Sequence, residues 1–158
     1  MRKFLFIAVF ISGMVTLAVE MATGRLLGNY FGTSNLIWAS IIGLILIYLT
    51  VGYFIGGKSA DRSPKFDTFF RILTWGAFTT CLVPFAARPI LKIAADAFDQ
   101  LWIGNLIGSF IVVMILFTIP ITLLGTASPF AIRLAIHDSR QAGSISGRIY
   151  AISTLGSF

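Results

Sequence analysis

Glu20 is the residue whose position most needs a chemical explanation. It follows sixteen apolar or small residues, Phe4 to Val19, and in a helix it lies roughly 24 Å from the start of that run. An acid at such depth in an apolar helix faces protein or water rather than lipid, and marks a site for a cation or a proton. Thr16 stands one turn earlier on the same face, so Glu20, Thr16 and Arg25 form the candidate binding set. The alternative is a structural ion pair. Arg25 lies about 140° round the helix from Glu20, which makes it an awkward direct partner, while Arg88 offers a second candidate on the same side of the membrane. No catalytic set emerges elsewhere. His137 and Asp138 read as a solvated pair on a polar segment, and Cys81 is the single cysteine, so neither an internal disulfide nor a metal cluster is expected.

These residues sit in a chain that is 57% hydrophobic and 11% charged, with a mean hydropathy of +0.91, which a water-soluble fold of 158 residues could not bury. The apolar residues come in blocks of about 20, enough to cross roughly 30 Å of hydrocarbon. The expectation is an all-α membrane protein of four transmembrane helices, about 4–27, 36–55, 68–87 and 101–124, with the start of a fifth over 149–158. No soluble domain is expected. Gly28 to Asn35 reads as a hairpin loop, and Gly56 to Lys65 as the next connection, because glycines, charges and Pro64 oppose an apolar helix. Arg88-Pro89 marks the expected end of the third span, followed by an amphipathic interfacial piece over 90–100. Pro120 is placed to kink the fourth span, and Pro129 lies near its end. Ile149 to Phe158 is too short to cross a bilayer, so three expectations stand: the chain breaks off there naturally, a longer protein continues beyond it, or a partner covers the stub. The charged start before Phe4 fits a retained first span better than a cleaved signal peptide, because the apolar stretch runs on past Glu20.

The net charge of +6 is distributed unevenly. Nine of the twelve basic residues, Arg2, Lys3, Lys58, Arg62, Lys65, Arg71, Arg133, Arg140 and Arg148, fall on the side of the N-terminus, which predicts a cytoplasmic N-terminus. They flank spans and form no stripe interleaved with aromatics, so nucleic acid is excluded as a partner. Three small-residue pairs, Gly24 with Gly28, Gly52 with Gly56 and Gly104 with Gly108, are spaced for close helix packing.

Two motifs carry a resemblance. Gly57-Lys58-Ser59-Ala60-Asp61-Arg62 resembles the signature loop between the second and third helices of major facilitator transporters. That likeness implies that Gly57, Asp61 and Arg62 belong to a cytoplasmic gate, with the acid near a helix N-terminus. Ser63-Pro64-Lys65 departs from the family's glycine and two basic residues. Pro120 to Phe130, and Gly147-Arg148-Ile149-Tyr150-Ala151-Ile152-Ser153-Thr154-Leu155-Gly156, then resemble the N-terminal membrane half of the fused major-facilitator and spermidine-synthase-like proteins. Ser12-Gly13 and Glu20 to Arg25 fit the same pattern, whereas Ser153 replaces the usual Asn. The resemblance covers essentially the whole chain and implies half of a major-facilitator-like bundle in a bacterial cytoplasmic membrane.

A spermidine synthase would need a strand followed by a Gly-rich loop and an acid to accept the amine proton. Neither strand nor loop is legible here, so no cofactor is expected and any aminopropyl transfer would need a catalytic domain outside these residues. Two functions remain. The first is a transport-related module for a small organic cation such as a polyamine, completed by a homo-oligomer, a second half or other membrane subunits. The second is a non-catalytic anchor or scaffold for a synthase-like domain or a larger membrane complex.

Overall fold

The structure is a computed structural model that describes residues 2–98, 104–136 and 141–158. Among the described residues every regular element is an α-helix: α1 (Arg2–Phe31), α2 (Asn35–Arg62), α3 (Phe66–Phe98), α4 (Gly104–Gly125), α5 (Ala127–Ala135) and α6 (Ala142–Gly156). Four helical stretches are long and apolar enough to cross a membrane, the fourth formed by α4 and α5 together. This marks the chain as an integral membrane protein.

The helices run further than the turn-forming residues suggested. α1 continues through Gly28 to Phe31 and stops at Gly32, whose φ of 81° suits the left-handed conformation that only glycine adopts without cost. The Gly32 amide donates to the Gly28 carbonyl at 3.1 Å, closing the helix end. Ser34 then caps α2, its hydroxyl oxygen accepting from the Ile37 amide at 3.2 Å. The expected loop from Gly56 to Lys65 is mostly helix. α2 carries Gly57, Asp61 and Arg62 within its last turns, and only Ser63-Pro64-Lys65 breaks the backbone. Asp61 therefore sits in the last turn of α2, where that helix's own dipole disfavours an acid. Asp67 occupies the first turn of α3.

Arg88-Pro89 does not end the third span, because α3 passes through both Pro84 and Pro89 to Phe98. Each proline removes one amide donor, and in a long apolar helix the remaining hydrogen bonds have no water to exchange with, so the helix continues. The piece expected to lie separately at the interface is joined to α3 as far as Phe98. Pro129 lies in the first turn of α5, where its missing amide is tolerated. α6 begins at Ala142, seven residues before the expected start of the fifth span. Residues 99–103 and 137–140, including the start of the expected fourth span and His137, Asp138 and Arg140, lie outside the described residues.

Close approaches define the packing. α2 and the α4–α5 pair run side by side in the same direction. A Cβ built on Gly52 would lie 2.4 Å from the Thr122 carbonyl oxygen, and one on Gly56 would lie 2.7 Å from the Thr126 Cα. Further along, Asp61 meets Arg133. α1 and α3 flank this pair, with Ser12 of α1 bonded to the Leu124 carbonyl of α4 and Gly76 of α3 against Leu123. α6 crosses α1 where Gly13 faces the Ser153 carbonyl and Gly156 faces that of Phe10. Two apolar clusters result. One gathers Leu27, Ile41, Ile45, Val112 and Ile121, and the other Leu5, Val9, Phe69, Phe130 and Ile149. Large apolar side chains such as Phe54, Phe85, Ile115 and Leu155 cover the outside, as expected where lipid is the solvent.

Candidate functional site

Between the two apolar clusters the chain changes chemistry. On α1, Ser12, Gly13 and Thr16 fall between Val9 of one cluster and Leu27 of the other. On α2, Leu49 and Tyr53 fall between Tyr48 and Ala60, and at the α4–α5 junction Leu124, Gly125 and Ser128 occupy the equivalent level. α6 contributes Tyr150, Ser153, Thr154 and Ser157. Together these residues line a cavity of about 220 Å³. It holds no charged side chain and eight hydroxyl-bearing ones: Ser12, Thr16, Tyr53, Ser128, Tyr150, Ser153, Thr154 and Ser157.

The hydroxyl hydrogens that can be assigned point into the backbone. Ser12 Oγ donates to the Leu124 carbonyl at 3.3 Å and Thr16 Oγ1 donates to the Ser12 carbonyl at 2.8 Å. Ser157 Oγ reaches the Gly13 carbonyl at 3.3 Å and that of Ser153 at 3.2 Å. A hydroxyl that donates to a carbonyl keeps its oxygen lone pairs free, so this side of the cavity is rich in acceptors. Such a lining complements groups that only donate, ammonium above all. Thr16 lies roughly 21 Å along α1 from Arg2, so the cavity sits well within the hydrocarbon layer.

Glu20 stands one turn above Thr16 and is half-buried, without a hydrogen bond or ion pair to any described residue. The helical period places it on the stripe that carries Gly13, Thr16 and Gly24. That stripe faces the cavity at its lower end and the Trp38 ring of α2 at its upper end, where a Cβ on Gly24 would come within 2.2 Å of the ring. The cavity lining stops short of Glu20. Arg25 is exposed on a different face, and Arg88 borders a groove between α1 and α3 with Leu26 and Pro84. The structure thus brings Thr16 and Glu20 into register and leaves both arginines apart from them.

Compared with family models, with curated proteins and with solved structures, the chain has no significant match. The physical content of the site therefore stands on its own geometry.

The second candidate set lies at the end of α2. Arg133 Nε donates to Asp61 Oδ1 at 3.1 Å, with both side chains well exposed. Arg62 is exposed without a described partner, and Gly57 has open space where a Cβ would stand. Among the glycine pairs, Gly52 and Gly56 form the α2 seam, while Gly24 receives Trp38 and Gly28 meets only the nearby Thr33 methyl. Gly104 opens α4 and Gly108 is buried within it.

Sequence reasoning missed Arg133 as the partner of Asp61, although both were assigned to one side of the membrane. It also missed the α6 hydroxyls and Tyr53. Their signal was present as Ser12 and Thr16 at a four-residue interval and as Ser153, Thr154 and Ser157 on one short helix. What the sequence lacked was the crossing of α1 by α6 that sets them face to face.

Proposed function

We propose that this chain is a transport-related membrane module, half of a major-facilitator-like unit with its N-terminus in the cytoplasm of a bacterial cell, that handles a small organic cation such as a polyamine. The observation that carries this reading is the acceptor-rich, uncharged cavity within the helical bundle, with the unpaired Glu20 one turn above its Thr16 wall. Glu20 supplies the attraction and the hydroxyls replace water around the ammonium donors. A site at mid-membrane between helices is where alternating-access transporters hold their substrates. By the same resemblance, Asp61 and Arg62 beside Gly57 act as the gate, and the pair of Asp61 with Arg133 is its latch. A second half, from another copy or another subunit, completes the pathway.

The test is uptake of radiolabelled spermidine into proteoliposomes, with Glu20→Gln and Thr16→Val compared with the parent at equal incorporation. Glu20→Gln should lower uptake at least tenfold, the effect of one lost charge-assisted contact. Uptake unchanged in Glu20→Gln would remove the site assignment.

The anchor or scaffold reading draws on α6. It packs one face on α1 while Leu155 remains exposed on the other. Recovery of the protein only as part of a hetero-complex, with Leu155 covered, would favour that reading over transport.

A further inference from the structure

We propose that the crevice between α1 and α3 is a binding site for one acyl chain of an anionic phospholipid, with Arg88 holding the phosphate. The crevice has two continuous parts. The deeper part, about 330 Å³, lies between Val19 and Thr23 of α1 and Val83 and Pro84 of α3, and is floored by Phe117 of α4. The outer part, about 530 Å³, shares Leu26 and Pro84 with it and adds Phe85 and Arg88.

The deeper part is predominantly apolar. Its two hydroxyls are already committed to their own helices, Thr23 to the Val19 carbonyl at 2.6 Å and Thr80 to the Gly76 carbonyl at 2.7 Å. The two hydroxyl oxygens can still accept, but eight of the ten lining side chains are apolar, so this part favours an alkyl chain over a small hydrophilic solute.

The outer part supplies charge at the right height. Arg88 lies roughly 33 Å along α3 from Phe66 and Arg25 roughly 35 Å along α1 from Arg2. The hydrocarbon layer is only about 30 Å thick. Both guanidinium groups therefore reach the level of lipid phosphates, and Lys92 follows Arg88 one turn further out. Arg88 is exposed and pairs with no described acid, so its planar fork is available for bidentate contact with phosphate. Apolar crevice below and unpaired cation above match one molecule with both features. Glu20 lies on the α2-facing stripe of α1, so the proposed lipid and the proposed cation occupy separate faces and either can fail alone.

The test is native mass spectrometry of the protein released from bilayers containing equal amounts of phosphatidylglycerol and phosphatidylcholine. The parent should retain phosphatidylglycerol in preference, and Arg88→Gln should reduce that preference about tenfold, the loss expected for one charge-assisted phosphate contact. Arg88→Lys should keep part of it. Ala22→Trp, which fills the crevice from an exposed position, should reduce retention of both lipids, with an unchanged helical circular-dichroism spectrum as the folding control. Inorganic phosphate should not displace the lipid. Equal retention of the two lipids by the parent overturns the proposal, as does an unchanged preference in Arg88→Gln. A dimer that Ala22→Trp dissociates overturns it in favour of a second copy occupying the crevice.

Discussion

Replacing Gly52 by alanine should weaken the bundle, and replacing Gly57 by alanine five residues later in the same helix should strengthen it. A Cβ at position 52 would stand 2.4 Å from the Thr122 carbonyl oxygen and 3.0 Å from the Gly125 Cα, where ordinary contact begins at 3.4 Å. Both obstacles are backbone, so no side chain can rotate away. α2 must retreat by about 1 Å along the seam, and a gap of that size forfeits a quarter to a half of the dispersion energy of the atoms it separates. Overpacking of this kind costs about 1–3 kcal/mol, of which the better helix propensity of alanine returns up to about 1 kcal/mol. At Gly57 nothing lies within 4 Å of the added methyl, leaving only the gain of about 0.5–1 kcal/mol. Reversible unfolding in mixed micelles, titrated with a denaturing detergent, should therefore give opposite signs for the two variants. If Gly52→Ala proves as stable as Gly57→Ala, the helices do not meet through backbone at that point and the packing argument fails.

Tyr48 has a buried hydroxyl with no hydrogen-bond partner, so Tyr48→Phe should be neutral or raise stability by about 1 kcal/mol in the same titration; a clear loss would mean that the hydroxyl is bonded in the bilayer. A double-mutant cycle on Asp61→Asn and Arg133→Gln should give a coupling of about 0.2–1 kcal/mol that shrinks with added salt, since the pair is exposed. A larger coupling in transport than in stability would support its role as a latch. Gly156→Val places a branched side chain where even a Cβ would lie 2.1 Å from the Phe10 carbonyl oxygen, and should separate α6 from α1. A spin-label distance between the two helices would then lengthen, and an unchanged distance would contradict the crossing. Cys81 lies roughly 22 Å along α3 on an exposed face, so a membrane-impermeant maleimide should fail to label it in intact vesicles from either side while labelling detergent-unfolded protein fully.

The span count and the lipid environment were legible because both rest on composition and length, which do not depend on tertiary contacts. The boundaries were less so. Gly56-Gly57 and Arg88-Pro89 carry strong breaking tendencies measured against water, but a helix held between neighbours in lipid keeps its backbone bonds for want of any alternative partner. The Gly52 and Gly56 pair could be singled out as a packing candidate from the sequence, since its spacing on one helix is a local property. Gly13 and Gly156 could not be paired by spacing, because they stand on different helices and meet only where α6 crosses α1. The same holds for the site. Thr16 and Glu20 shared a face by period alone, whereas Ser153 and Ser157 joined Thr16 only through that crossing, and Tyr53 only through the packing of α2 into the bundle.

The outward-facing apolar side chains carry a thermodynamic consequence. Phe54 and Phe85 are more than three-quarters exposed, at 78% and 80%, and they face lipid whether or not the helices are packed together. Separating the helices within a bilayer would transfer little apolar surface into water, and it is that transfer which gives soluble proteins their large heat-capacity change. The temperature dependence of stability should accordingly be nearly straight rather than dome-shaped, with no loss of packing on cooling.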